Sequence, residues 1–460
     1  MSFHVSSRGV GLLTALTVLA LMCGKAVLDV NALNATSVND ASSRKPFEVW
    51  IADQSDTRPG FGGQLLIYEG SDLMGGSAAK AQPIARLDLG AETAALCQAS
   101  TGRNPVRPHM LAFNNERTHA VLSFVASGHV VIFDAGARKP LSCFQTTIGT
   151  TGTRQAHAAF AAPNGSYILV ANQNGKRLER IDTYFPTNTF VHNALATLDL
   201  QTCVTPAGKP CEAPDLRPIN WPICPIIDAS SRYAFVTLRG GGLFVVDVTT
   251  TPMAIVAEYD HTVVKGNGCG GVQVGADMYM NSGGSPVNVS GTNPHHPALY
   301  GFDVYKFPTT GFGAPLPPNT PAPVRLLSKS GMSDSHGTTA TKDDRYLWVM
   351  DRHANVAEII EVKSGNWLNT VNLVGPVSTD PAPDLVDRAP SGNRLFVSMR
   401  GPTPLSGDPH NATGSTPGLG IIRVTEGGRN GELMAVVPLT NPLQQPGQAP
   451  DAHGIRVRVK

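Results

Sequence analysis

Charge is scarce in this chain. Of 460 residues, 36 are basic and 35 acidic, leaving a formal net charge of +1. There is no basic stripe and no interleaving of aromatic with basic residues, which argues against nucleic acid as a main partner. Long apolar runs are also missing beyond the first 26 residues, so no later segment could cross a membrane as a helix. Several motifs are absent as well. No Cys-x-x-Cys-His site could attach a haem, and no nucleophile elbow, paired-cysteine zinc pattern or zinc-protease helix is present. Arg239-Gly-Gly-Gly242 falls in a strand-to-strand turn, not before a helix, which excludes a phosphate loop.

What the chain does hold is turn-forming residues: 47 Gly and 36 Pro, as suits many short strands joined by turns. Residues 1–26 read as an export signal. Arg8 gives a positive start, residues 10–22 an apolar stretch too short to span a bilayer comfortably, and Gly24-Lys-Ala26 small residues at a cleavage site. An uncleaved anchor is the alternative; Cys23 lacks the small preceding residue of a lipoprotein signal. A flexible segment is expected over 27–46 and the folded domain over 47–460, in a secreted or periplasmic location. Six cysteines remain after the signal: Cys97, Cys143, Cys203, Cys211, Cys224 and Cys269. An even number in an exported chain favours disulfides. Cys203 and Cys211 bracket a short loop, and Cys224 and Cys269 begin equivalent strands. Connectivity stays open, with free thiols the alternative.

Internal repetition decides the architecture. The unit is an inner strand, a turn, a second strand, a polar loop, a third strand and a fourth. Third strands are expected at 64–68, 129–134, 178–182, 243–247, 298–303, 357–361 and 420–424. Seven such units predict an all-β, seven-bladed β-propeller. Inner strands begin near His109, His157, Cys224, Cys269, His336, Asp384 and His453. The first blade has no inner strand before it, and the segment from His453 is a lone C-terminal strand. It is expected to close the ring by pairing with the first blade, removing two open sheet edges.

Pro163-Asn-Gly-Ser-Tyr-Ile-Leu-Val-Ala-Asn172, Arg180-Ile-Asp182 and Ser391-Gly-Asn-Arg-Leu-Phe-Val397 resemble the YVTN-repeat propeller superfamily. That superfamily includes lactonase-like proteins and, more distantly, the propeller domains of copper enzymes such as nitrous oxide reductase. The resemblance covers most of the mature chain and implies fold more than activity.

Four histidines share one repeat position: His109, His157, His336 and His453. In a closed ring they would converge on the axis, three from adjacent blades and His336 from across the ring. Four imidazoles without thiolates suit a transition metal, copper or iron, and oxidative chemistry on a small molecule. Asp334 and Asp451, each two residues before a histidine, are expected to accept the second ring N–H. Asp384 stands at the equivalent position of the last blade, as ligand or general base. Arg107 and Arg154 would draw an anionic substrate. Lactonase-like hydrolysis without a metal, with Asp384, His109 or a neighbour as base, is the alternative, and a non-catalytic scaffold is another. A plainer reading has the histidines bonding channel water. Long insertions at 201–222, 281–297 (His295, His296) and 401–418 (Asp408, His410) map to the same face and suggest a covered pocket. His129 and His353 are expected at the surface, and Asn164, Asn288 and Asn411 head glycosylation sequons. Oligomeric state is not legible.

Overall fold

The computed structural model describes residues 45–266, 268–283, 301–313, 320–406 and 412–460. The expected export signal, most of the segment after it, His295, His296, Asp408, His410 and the sequons at Asn288 and Asn411 lie outside these residues. Seven antiparallel sheets follow one another, six of four strands and one of five. The C-terminal strand Ala452–Val459 pairs with Phe47–Asp53, so the first blade takes its inner strand from the far end of the chain. This is the closure anticipated from the repeats, and it gives blade 1 the inner strand that its own segment lacks. Blades are numbered 1–7 in chain order, starting from Phe47.

The sheets form because their strands alternate β-branched and aromatic residues that are buried on both faces, one against each neighbouring blade. Between blades 1 and 2, for example, Trp50, Leu65, Ile67, Phe113, Leu122 and Phe133 pack together. Three expectations need correction. Of the third strand expected over 298–303, residues 298–300 lie outside the described residues, and the strand that is described runs over Asp303–Pro308, after Gly301 turns the chain at φ +114°. Blade 3 gains a fifth strand, since Arg177–Tyr184 pairs with both Thr189–His192 and Leu198–Asp199. A short helix, Ala94–Thr101, joins blades 1 and 2 and is tethered by the Cys97–Cys143 disulfide to the outer strand of blade 2. Cys203–Cys211 and Cys224–Cys269 complete three disulfides. Among the described residues no helix is long and apolar enough to cross a membrane.

Candidate functional site

Six of the seven inner strands carry a register shift at their axial residue: around His109, His157, Cys224, His336, Asp384 and His453. A bulge adds one unpaired residue and re-aims its side chain, here toward the ring axis. In blades 2, 4 and 7, hydroxyls on the second strand accept the backbone N–H groups this frees: Ser123 from Met110, Thr237 from Cys224 and Ser398 from Leu385. The glycines after His336 and His453 have a separate cause. A Cβ at Gly337 would lie 2.3 Å from the Asp384 carbonyl oxygen, and one at Gly454 2.4 Å from that of His109. Only glycine lets adjacent blades approach so closely there.

The axis is therefore ringed, in blade order, by His453, His109, His157, Cys224, Cys269, His336 and Asp384. All four histidines line one cavity of about 420 Å³, together with Arg107, Arg154, Trp221, Arg239 and Arg352. His336 does not approach from across the ring. Only blade 7 separates it from blade 1, and its ring centroid is 5.1 Å from that of His453. His109 stacks on His453 at 3.6 Å and meets His157 edge-on at 4.8 Å.

The carboxylate that reaches a histidine is not the one two residues upstream. Asp334 accepts from Arg352 Nε (2.6 Å) and Asp451 from Arg400 Nε (2.7 Å). Instead, His336 Nδ1 donates to Asp384 Oδ1 at 2.5 Å. Asp384 also accepts from Arg400 Nη1 (2.7 Å) and Arg352 Nη1 (3.2 Å) and lies 3.7 Å from His453 Nε2. Fully buried, it does not line the cavity, so it acts on the mouth through the lining residues it touches, His336 foremost. Burial alone would raise Asp384; the charge of Arg352, with the hydrogen bond from His336, outweighs that and holds it well below the usual carboxylate range. An ionised, doubly clamped carboxylate is a poor base, which removes the general-base role expected for it.

Burial, reinforced by neighbouring imidazoles and arginines, pushes His109 well below its ordinary value and His157 down to about 3. Burial likewise lowers His453, against the pull of Asp384. These rings are neutral near pH 7. His453 Nδ1 donates to the His109 carbonyl oxygen (3.2 Å), so its Nε2 lone pair faces Asp384. His109 Nε2 and Arg107 Nε are buried without a protein hydrogen-bond partner. Arg107 also takes φ +60°, a conformation that side-chain-bearing residues seldom adopt, next to the mouth. One compact donor set is His336, Asp384 and His453, whose ligand atoms all lie within 4.8 Å of one another; His109 stands outside it, and His157 belongs to a second set with Cys224 and Cys269.

Arg239, Arg352, Arg400 and Gln54 join the site without a motif to announce them. Each directly follows the second strand of its blade, where its backbone N–H adds one more rung, to the carbonyls of Trp221, Asp334, Ala382 and Asp451 respectively. Aligning second-strand ends exposes Leu238-Arg239, Asp351-Arg352 and Met399-Arg400 as one repeat position. The third insertion does reach the mouth: Leu405 and Ser406 line it, and the Ser406 hydroxyl is 3.2 Å from His109 Nδ1. His129 is not at the surface. It is fully buried, held by Thr101 and Ser127 at 2.9 Å each, and His353 is half-buried.

The fold is that of the seven-bladed β-propellers, and solved structures of lactonase-like proteins are among those it is similar to. Similar solved structures include the hypothetical selenium-binding protein of Sulfolobus tokodaii, at 8% identity over 90% of this chain and 95% of that one, with TM-score 0.57. The putative 6-phosphogluconolactonase of Bacteroides fragilis matches at 10% identity, 90% and 99% coverage and TM-score 0.53. The periplasmic gluconolactonase of Pseudomonas aeruginosa matches at 12%, 90% and 100%, with TM-score 0.52. No family model matches the chain, and no curated protein matches it by sequence. At such identities the likeness concerns the fold alone.

Proposed function

We propose that this is an exported, lactonase-like hydrolase whose axial mouth opens a small anionic lactone. The observation that carries the reading is the His336–Asp384 pair beneath an arginine-rich cavity. Asp384 fixes the His336 tautomer with Nδ1 protonated, leaving Nε2 to take a proton from water. The resulting hydroxide attacks the lactone carbonyl, the ring C–O bond breaks, and the proton passes from His336 to the departing alkoxide. Asp384 offsets the charge of the transient imidazolium. Arg107 and Arg154 hold the substrate's acidic group, and Arg107 Nε has no protein partner to give up. Three disulfides and the lactonase-like neighbours, one of them periplasmic, support a secreted or periplasmic location.

The test is turnover of carboxylated or phosphorylated sugar lactones, followed by acid release, with and without chelator. Chelator-insensitive turnover is expected. His336→Gln should lower kcat about 10²–10³-fold and Asp384→Asn about 10²-fold, with KM little changed. Rates no higher than spontaneous hydrolysis, or a fully active His336→Gln protein, would overturn the reading.

A second reading is supported by one specific feature. The lone pair of His453 Nε2 and the carboxylate of Asp384 face each other at 3.7 Å, as two acceptors would around a shared cation. Copper or iron held there by His336 and His453, with His109 and His157 swinging in, would bring oxidative chemistry to the same mouth. The stacked His109 and His453 rings turn faces rather than nitrogens to each other, so that fuller set requires ring rotation. Chelator-sensitive activity, and about one equivalent of metal in the purified protein, would favour it.

A further inference from the structure

Cys224 and Cys269 occupy the axial position in blades 4 and 5, beside His157, and lactone hydrolysis makes no use of them. Their Cα atoms are 5.0 Å apart, and Cys224 Sγ lies 3.8 Å from His157 Nδ1. The two sulfurs and a His157 ring nitrogen lie within 4.8 Å of one another. Tetrahedral zinc, with Zn–S about 2.3 Å and Zn–N about 2.05 Å, needs S···N near ~3.5 Å and S···S near ~3.8 Å. The sulfur–nitrogen spacing already matches within about 0.3 Å. Opening the S–S bond and turning the side chains supplies the other.

A second cavity, about 190 Å³, lies one step further along the same inner strands and is lined by Cys269, Met110, Ile226, Thr338 and Leu385. Cys269 thus borders a cavity other than the one lined by Arg107, Arg154, Arg239 and Arg352, and this is the entry the proposal assigns to a small thiol.

We propose that the Cys224–Cys269 disulfide is a latent metal site: once reduced by a small dithiol, its two thiolates and the His157 imidazole bind one Zn²⁺ or Cu⁺ ion. Reduction is thiol–disulfide exchange. The dithiol supplies two electrons and two protons, leaving as a cyclic disulfide, and Cys224 and Cys269 become thiols. The cation then displaces one proton from each. Two thiolates and one imidazole favour soft or borderline cations, and the three protein ligands leave a fourth position open. The site is distinct in donors from His336–Asp384–His453 and exists only in the reduced protein. It stands whether or not the mouth hydrolyses lactones.

The test uses the full chain, reduced anaerobically with dithiothreitol, freed of it by gel filtration, and titrated with Co²⁺. One equivalent should bind with a thiolate-to-cobalt charge-transfer band that is absent before reduction and abolished by Zn²⁺. His157→Gln should weaken binding at least ~10-fold. In unmutated reduced protein, bound Zn²⁺ should slow alkylation of Cys224 and Cys269 at least ~10-fold while Cys203 and Cys211 react as without metal. The charge-transfer band should vanish in Cys224→Ser/Cys269→Ser and persist in Cys203→Ser/Cys211→Ser. A reduced protein without the band overturns the proposal. So does a Cys224–Cys269 bond that resists the dithiol, or protection confined to Cys203 and Cys211. The alkylation measurement needs no variant, so it tests the site even where a mutant misfolds.

Discussion

The two arcs of the axial ring have the same backbone and opposite chemistry. On blades 6, 7 and 1, His336, Asp384 and His453 form an ionic, hydrogen-bonded group locked from behind by Arg352 and Arg400. On blades 4 and 5 the equivalent positions are joined covalently through Cys224 and Cys269. The first arc is held by charge pairs that function only if every buried group keeps its partner. The second is held by a bond that constrains the unfolded chain and asks little of its surroundings. A propeller thus supplies seven equivalent axial positions, and the residue type at each decides whether it is reactive or a staple.

The ionic arc should break more severely. Arg400 has no exposed surface and bridges Asp384 and Asp451, each at 2.7 Å. Arg400→Leu takes the cation from buried Asp451 and leaves Asp384 with Arg352 alone, and should cost about 5 kcal/mol in urea unfolding, the upper end for a broken buried pair. A loss under ~1 kcal/mol would mean that Arg352 alone can hold the arc.

The covalent arc comes next. Cys224–Cys269 spans 45 residues and Cys203–Cys211 spans 8. Loop-closure entropy predicts losses of about 4 and about 2.6 kcal/mol for the respective Ser/Ser variants. Equal losses would show that the axial disulfide acts through native contacts instead.

The smallest effect separates cooperative from independent histidines. Burial holds His129 down to about 4, with the charge of Arg154 next in importance, and this residue lies outside the mouth. Between pH 6.5 and about 4, the unfolded chain takes up a proton there that the folded one refuses, so stability falls as pH falls. His129→Gln should therefore flatten the stability–pH slope by about 1.4 kcal/mol per pH unit in that window, measured by denaturant unfolding. Asp351, raised by burial to about 7, works in the opposite sense in both proteins and cancels in the difference. His157→Gln should flatten the slope by the same one proton, continuing toward about 3. A change larger than one proton would show the mouth imidazoles titrating as a set.

Much of this architecture was legible because propeller repeats write it in two periodicities. Alternating apolar strands located the blades, and a recurrent residue before each inner strand located the axis. His109, His157, His336 and His453 reached one cavity for that reason. Contacts between blades were not legible. Asp334 and Asp451 lie near histidines in sequence, yet strand geometry turns them to Arg352 and Arg400, while Asp384, 48 residues from His336, meets its ring. The burial of His129 was hidden because its place at a strand start was legible, but not that the Ala94–Thr101 helix would cover it, with Thr101 2.9 Å from its ring.

By itself the sequence determined the number of blades, the closing strand and which seven residues meet at the axis, since strand period and repeat spacing are local properties of the chain. Only the tertiary structure decided who pairs with whom around that axis. A bulge at six of the inner strands and the close approach of neighbouring blades set distances of 2.5–3.8 Å between residues tens to hundreds apart in the chain. At that range, hydrogen bonding and charge decide the chemistry, and no spacing along the chain encodes them.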